Sequence, residues 1–306
     1  MTEERKPQSW WQTVPGALTA AAGTITAVTG LIVALNQSGL FGGKEEAHKE
    51  SAPKAKPEPG PSPKTASPVI PGAAKAPFFE DFSGNPLNPR WKILNHNPSK
   101  TAIQPEKGTL LIVTESGSIA GTATNLKNQY VLDLSLPKGN YEVIAKASLQ
   151  IQSTHNSISL GLYKDDDNFL ELIYWGSPST DTKFSDGVDN DFYRTVSFVK
   201  EELGRRAAFS TEKRPDARGP RKEPWHFLLK IERNGNEYTG YFARFPTDRP
   251  PQNIDQLRWY KLGTHAWVDF DGKLSLWARN GNSTIHGKGR PREVAAEFDF
   301  VLFREK

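Results

Sequence analysis

Glu297 and Asp299 are the acidic side chains best placed to do chemistry together. They are separated by one residue, so on an extended strand both would point to the same face. Hydrolysis of a glycosidic bond uses two carboxyl groups, one as nucleophile or base and one as acid. The next positions on that face are Val301 and Phe303, which cannot extend the pattern. The carboxylate motif is therefore incomplete.

Other sequence features do not indicate catalysis. The run Asp165-Asp166-Asp167-Asn168 is better explained as a turn, because Asp and Asn side chains bond local backbone N–H groups there. The sequence has no cysteine, which excludes disulfides, thiolate metal sites and cysteine nucleophiles. None of the histidines has a partner at metal-ligand spacing. No GxSxG elbow or P-loop occurs, and we expect that the chain is not an enzyme.

Aromatic residues could bind sugars by stacking on pyranose faces. The candidates are Tyr174 and Trp175 at the end of a predicted strand, together with Trp259 and Trp267. The alternative for each ring is core packing, since large aromatics are favoured in strands for that reason alone. Trp175 and Trp267 stand beside turn-rich segments and are the most exposed of the four by this reasoning.

The sequence predicts no cofactor, and a structural calcium ion is the alternative left open. Asp81 near the start of the predicted domain and Asp299 near its end could supply hard oxygen ligands. Both are equally explained as ordinary acids at strand edges.

Basic and acidic residues are nearly balanced, 39 against 35, which is typical of a solvated surface and predicts no nucleic-acid partner. The densest basic segment is residues 205–222, RRAAFSTEKRPDARGPRK. We interpret it as an irregular loop that could meet an acidic polysaccharide, anionic lipid or a protein partner, or simply be solvated.

The elements that would position these residues are β-strands. From Phe78 onward, short runs of alternating apolar residues are separated by Gly, Asn, Asp and Pro. The predicted strands are Thr109–Thr114, Tyr141–Gln150, Ser157–Tyr163, Phe169–Tyr174, Phe192–Val199, His226–Arg233, Glu237–Phe245, Trp259–Thr264, Lys273–Arg279 and Ala295–Phe303. Asn234-Gly235 predicts a tight hairpin. This pattern predicts an all-β, two-sheet antiparallel sandwich over residues 77–306.

The N-terminal quarter has a different character. After a short flank, residues 1–12, the segment 13–35 carries no charged side chain and is long enough, at ~1.5 Å per residue, to cross a ~30 Å hydrocarbon core. It is interpreted as a single transmembrane helix in contact with the lipid bilayer; a buried soluble helix and a cleaved signal peptide are the alternatives. Residues 36–76 are rich in Pro, Lys and Ala and predict a disordered linker.

Four segments of the predicted sandwich resemble a known family in the same order. They are FFEDFSGNPLNPRWKILNHNP, ISLGLYKDDDNFLELIYW, WHFLLKIERNGNEYTGYFARF with WYKLGTH after it, and EFDFVLF. They are similar to the concanavalin A-like domain at the C-terminus of family 43 glycoside hydrolases (β-xylosidases). The resemblance implies a jelly-roll sandwich. In those enzymes it accompanies a separate catalytic propeller, whereas here a predicted membrane helix and linker stand before it.

Together these features predict a membrane-anchored, non-catalytic, lectin-like module for a poly- or oligosaccharide. The alternatives are a protein-interaction or structural scaffold domain of the same fold, and a glycoside hydrolase whose carboxylate pair is not recognised in the sequence. The linker and the resemblance favour an extracytoplasmic C-terminal domain. The lysines after the predicted helix, more numerous than the basic residues before it, favour the opposite orientation.

Overall fold

The computed structural model of the protein describes residues 78–306 except 85, 120, 122, 179–191, 219–223, 246–252 and 282–291. The chain divides into two units, Met1–Pro63 and Lys64–Lys306, and the described residues all belong to the second. The predicted flank, transmembrane helix and linker lie outside the described residues and stay predictions. Within the described ranges, no helix is long and apolar enough to cross a membrane.

Antiparallel strands dominate the described part of the chain, with single-turn 3-10 helices at Pro98–Lys100 and Ile254–Gln256. In chain order the strands are β1 (Phe78–Glu80), β2 (Trp91–Leu94), β3 (Thr101–Gln104), β4 (Thr109–Val113), β5 (Gln129–Leu132), β6 (Tyr141–Leu149), β7 (Ser157–Asp165), β8 (Asn168–Pro178), β9 (Phe192–Glu202), β10 (Arg205–Arg218), β11 (Trp225–Asn234), β12 (Glu237–Phe245), β13 (Tyr260–Ala266), β14 (Lys273–Arg279) and β15 (Ala295–Glu305).

These strands form two sheets. Sheet 1 has the order β13-β12-β11-β6-β15-β4-β3, and β1 also pairs with β15. Sheet 2 has the order β10-β9-β8-β7-β14-β5-β2. The strand pairings are antiparallel in both sheets. The predicted all-β, two-sheet antiparallel sandwich is therefore confirmed.

The main core lies between the sheets, because each strand turns alternate side chains inward. On β11 the inward residues include Phe227, Leu229 and Ile231, all of them buried. They meet the inner face of sheet 2, where the ring centroid of Tyr174 lies 4.7 Å from that of Phe227. The side chains between these inward positions point to the outer faces of the sheets.

All ten strands predicted from apolar alternation are present. The bounds of β12 and β14 match the prediction, and most of the others extend by a few residues at their ends. Strands β1, β2, β3, β5 and β10 were not predicted. The first four are only three or four residues long, too short for an alternating pattern to emerge.

The expectation of an irregular loop at residues 205–222 is wrong for residues 205–218. These residues form β10, which pairs with β9 from Arg205 to Lys213 and again at Arg218. Arg205 stands opposite Glu202 and Arg206 opposite Glu201, so opposite charges face each other across the two strands. Because β10 is at the edge of sheet 2, it lacks the apolar alternation that identifies interior strands.

Both predicted turns are confirmed. The Asp165 carboxylate accepts hydrogen bonds from the Asp167 N–H at 3.0 Å and the Asn168 side-chain amide at 2.7 Å, which closes the β7–β8 hairpin. The β11–β12 hairpin turns at Gly235, whose φ of +60° is easily adopted by glycine.

Candidate functional site

A polar group of side chains lies on the outer face of sheet 2. Strands β7, β8, β9 and β14 place Ser159, Glu171, Glu201, Trp277 and Arg279 on this face. All five residues are at least nine-tenths buried. A buried carboxylate is costly unless it is hydrogen-bonded or paired, so the partners of the two glutamates define the chemistry here.

Glu171 lies near the middle of β8 and accepts hydrogen bonds from three different side chains. Arg279 Nη2 is 2.8 Å from both carboxylate oxygens. Trp277 Nε1 donates to Oε1 at 3.0 Å, and Ser159 Oγ donates to the same oxygen at 2.7 Å. These donors come from β14 and β7, the next two strands of the sheet, and together they fix the orientation of the carboxylate.

Glu201 lies near the end of β9 and has a different environment. Its Oε1 accepts a hydrogen bond from the backbone N–H of Gly121, in the connection between β4 and β5. Burial raises the pKa of Glu201, the Gly121 hydrogen bond lowers it, and the charge of Glu171 raises it further. The net pKa is raised, which favours the protonated acid relative to an exposed glutamate.

The two carboxyl groups are diagonal neighbours. Glu201 is opposite Phe169 in the β8–β9 register, and Glu171 is two residues along the same strand face. Diagonal positions on neighbouring antiparallel strands are ~7–8 Å apart, within reach of glutamate side chains. The sheet therefore brings together one carboxyl group held by an arginine and one with a raised pKa.

The connection between β4 and β5 covers this pair. Ile119 and Leu126 of the connection pack with Phe169 and Trp277 in a small apolar cluster. The Glu115 and Arg279 backbones also form a β-bridge, which joins the connection to β14. The cover is thus held by apolar contacts, by backbone pairing and by the Gly121 hydrogen bond to Glu201.

Trp175 continues this face along β8. Its Nε1 donates to Ser197 Oγ on β9 at 3.0 Å, and its ring is only partly buried. The His155 ring is tilted against it, with ring centroids 5.8 Å apart. Among the aromatic residues proposed for sugar binding, Trp175 is the one that lies on the same face as the two glutamates.

The other predicted aromatic residues lie elsewhere. Tyr174 is 1% exposed and stacks on Trp225 between the sheets, which leaves no ring face for a ligand. Trp267 was predicted to be exposed, but it is 9% exposed and stacks on Phe270 at 4.0 Å. Trp259 is part-buried beside sheet 1, where its Nε1 donates to the Ile254 carbonyl at 3.3 Å. The structure therefore does not bring the four rings into one site.

The acids identified from the sequence are engaged in other contacts. On β15, Glu297 lies 3.7 Å from Lys107 and Asp299 pairs with Lys146, which is fully buried. A register shift between Phe298 and Phe300 interrupts the alternation on which their shared face was predicted. These contacts belong to sheet 1 and not to the buried glutamate pair.

The described ranges contain no acidic cluster around the two residues proposed to bind calcium. Asp81 accepts hydrogen bonds from Ser83 N at 3.1 Å and Ser83 Oγ at 2.7 Å, and Asp299 faces Lys146. No group of three or more acidic or histidine side chains that could hold a metal occurs among the described residues. The calcium role of Asp81 and Asp299 stays a prediction.

Glu171 and Glu201 were missed by sequence reasoning, although Glu171 carried a signal. It is the one charged residue in the run FLELIYW, and a charge in an otherwise apolar strand indicates a buried polar partner. Glu201 carried no comparable signal, because it precedes another glutamate at the end of a strand.

Solved structures with a similar fold include glycoside hydrolases. The GH43 protein BlXynB of Bacillus licheniformis aligns with a TM-score of 0.51 and 17% identity, over 74% of this chain and 39% of that chain. The Bacteroides ovatus xyloglucan PUL protein GH43B aligns with a TM-score of 0.51 and 15% identity, with the same coverages. A Bacillus licheniformis β-glucanase aligns with a TM-score of 0.47 and 13% identity, over 75% of this chain and 98% of that chain.

This chain therefore matches less than half the length of the two GH43 proteins. No protein-family model matches the sequence. No curated protein matches it either.

The structural comparison overturns two expectations. Because the similar structures are glycoside hydrolases, the prediction of a membrane-anchored, non-catalytic carbohydrate-binding module is wrong, and so is the prediction that the chain is not an enzyme. At 15–17% identity, the likeness establishes a glycoside hydrolase-like, concanavalin-like sandwich fold.

Proposed function

We propose that this protein is a glycoside hydrolase that uses Glu171 and Glu201 on the outer face of sheet 2. The observation that carries the proposal is the pair itself: two buried carboxyl groups on neighbouring strands with different partners. Pairs of carboxyl groups whose environments differ in this way are typical of sites that need one acid and one carboxylate.

In this proposal Glu201 is the general acid. Its raised pKa, caused first by burial, keeps it protonated at a higher pH than an exposed glutamate. The proton passes to the glycosidic oxygen as the bond from that oxygen to the anomeric carbon breaks. A water molecule then supplies the new hydroxyl group at the anomeric carbon. The proton that this water releases goes to Glu201 and restores the acid.

Glu171 is the carboxylate partner. Arg279, Trp277 and Ser159 fix its orientation, and an acceptor-only carboxylate can accept the hydrogen bonds that Arg279 Nη2, Trp277 Nε1 and Ser159 Oγ donate. In this position it attacks the anomeric carbon, and its bond to that carbon breaks when the water adds. Arg279 also lies close enough to lower the pKa of Glu201, so it links the two groups electrostatically.

Substrate access requires the cover over the pair to move. The side chains of Glu171 and Glu201 are nearly inaccessible, and Ile119 and Leu126 of the β4–β5 connection are each 1% exposed. Displacement of this connection would break the Gly121 hydrogen bond and open the face of sheet 2. Such movements are common in enzymes that exclude water during the reaction.

The substrate class proposed here is a β-linked polysaccharide or oligosaccharide. It is supported by the xyloglucan PUL protein and the GH43 protein among the similar structures, which this chain matches over 39% of their length. The predicted membrane helix would hold the enzyme at a bilayer with its C-terminal domain outside the cytoplasm.

The test is release of reducing sugars from xylan, xyloglucan and mixed-linkage β-glucan by the full-length protein. General acid catalysis contributes ~10²–10⁴-fold, so Glu201→Gln is expected to reduce the rate by at least about 100-fold. Glu171→Gln should have a comparable effect. Glu297→Gln is the matched control, because it changes a glutamate on sheet 1 that lies 3.7 Å from a lysine.

Azide offers a more specific readout for Glu171. If Glu171 is the nucleophile, azide should restore turnover to Glu171→Ala and yield a glycosyl azide. Equal rates for wild type and both Gln variants would contradict the proposal, as would a folded protein that releases no sugar from any of the three polymers.

A further inference from the structure

We infer that Trp175 and His155 form a sugar-binding subsite beside the glutamate pair, which makes an extended oligosaccharide or polysaccharide chain the substrate. The inference rests on the proposed function and adds a specificity determinant to it. It starts from a partly exposed tryptophan on the same sheet face as Glu171.

The distance along β8 sets the length of substrate that would reach both sites. Glu171 and Trp175 point to the same face and are four residues apart, which corresponds to ~13 Å at ~3.3 Å per residue. This separation exceeds a single sugar ring. A ligand that contacts Trp175 while its glycosidic bond lies at Glu171 must therefore contain several sugar units.

Trp175 is held in a fixed orientation. Its Nε1 donates to Ser197 Oγ at 3.0 Å, and Ser197 is fully buried on β9. The indole is thus tethered at its polar edge while part of its surface remains accessible. A pre-oriented aromatic ring loses little conformational entropy on binding, which suits it to stacking on a pyranose.

His155 has an unusual backbone conformation for a residue with a large side chain. Its φ is +67°, in the left-handed region that glycine adopts most easily. Gly281 gives it room, because a Cβ atom at position 281 would lie 2.9 Å from His155 Cβ. Strained residues of this kind persist where the surrounding structure holds them, and they concentrate at functional sites.

The surrounding structure does hold this turn firmly. The His155 N–H donates to the Gly176 carbonyl at 2.7 Å, and the Gly176 N–H donates to the Asn156 carbonyl at 3.1 Å. Asn156 is fully buried, and its side chain accepts from Ser153 N at 2.8 Å and donates to Asn280 Oδ1 at 2.6 Å. This network fixes an imidazole beside the Trp175 ring, where it can hydrogen-bond to sugar hydroxyl groups.

The first experiment measures binding without turnover. Full-length Glu201→Gln protein is titrated calorimetrically with xylo-oligosaccharides and cello-oligosaccharides from the disaccharide to the hexasaccharide. Affinity is expected to rise with chain length. Adding Trp175→Leu should weaken hexasaccharide binding about tenfold, equivalent to about 1.4 kcal/mol, and leave disaccharide binding unchanged. Trp259→Leu, a change to a part-buried tryptophan beside sheet 1, is the matched control.

His155→Gly separates a binding role from a structural one. Glycine adopts a positive φ without strain, so this variant should unfold at the same temperature as the parent or higher. If His155 binds sugar, the variant should nevertheless lose several-fold in hexasaccharide affinity.

Unchanged hexasaccharide affinity in Trp175→Leu and His155→Gly would refute the subsite, and continued polymer hydrolysis by the wild type would leave the proposed function standing. Binding that depends on Trp175 in a protein without hydrolytic activity would support the subsite and refute catalysis. If no oligosaccharide binds, the subsite is refuted.

Discussion

Gly161→Ala should displace the tryptophan that holds Glu171. Gly161 lies on β7, opposite Glu171 in the β7–β8 register, where a Cβ atom would come within 2.1 Å of Trp277 Cη2 and 2.3 Å of Cζ3. The Trp277 ring cannot turn away freely, because it is fully buried and packs edge-on against Phe169 at 6.4 Å. The added methyl group therefore forces the indole out of its position.

Two effects set the magnitude. Overpacking of a core position costs about 1–3 kcal/mol. Loss of the 3.0 Å hydrogen bond from Trp277 Nε1 to the Glu171 carboxylate adds about 1.5–3 kcal/mol, because the acceptor is charged and buried. We expect a total loss of about 2.5–6 kcal/mol in the free energy of unfolding, which lowers the melting temperature of a domain this size by about 5–24 °C.

Urea unfolding followed by far-ultraviolet circular dichroism measures the loss without relying on the tryptophan signal. Gly139→Ala is the matched control, since no heavy atom lies within 4 Å of a Cβ atom there, and it should change stability by less than about 1 kcal/mol. In a Trp277→Leu background the Gly161→Ala change should become much less costly, because the clashing ring is gone. If Gly161→Ala proves as mild as Gly139→Ala, the placement of Trp277 over Gly161 is wrong.

Two further predictions concern pH and topology. Burial raises the pKa of Glu201, so the folded state binds the proton of this carboxyl group more tightly than the unfolded state does. The stabilisation of the folded state by this proton is present below the unfolded pKa of ~4.3. It is lost as pH rises through the higher pKa of the folded state. Glu201→Gln should therefore flatten the decline in urea midpoint from pH 4 upward, whereas parallel curves for the two proteins would show that Glu201 is not the group responsible. For topology, a C-terminal alkaline phosphatase fusion should be active if the domain lies outside the cytoplasm, and activity of a cytoplasmic reporter at the same position would reverse that assignment.

Much of the fold could be predicted because a strand with one buried face has apolar residues at alternate positions of its sequence. Strand β12 alternates clearly enough that its predicted bounds match the structure. Strand β5 was missed because it has only four residues and all of them are buried, so it shows no polar alternation over a detectable length. Alternation identifies a strand with one buried face and does not identify a short strand that is covered on both.

The candidate site was harder to predict because it depends on register. Glu171 and Glu201 are thirty positions apart and become neighbours only through the pairing of β8 with β9. The Gly121 donor comes from a third segment, the connection that folds over the sheet. Conversely, Glu297 and Asp299 are close in sequence, but the register shift between Phe298 and Phe300 interrupts the regular strand alternation from which their shared face was predicted. Local spacing could supply candidates but could not choose between them.

The composition that concealed β10 in the sequence also has a consequence for solubility. In the described part of the chain β10 pairs only with β9, so the backbone groups on its outer side could add a strand from another molecule. Its sequence contains five basic residues and Pro215, and its register shifts between Lys213 and Arg218. Charge repels a second copy, proline lacks a donor N–H, and an irregular register offers no straight template. Features that make this strand difficult to recognise thus protect a long open edge from forming fibrils.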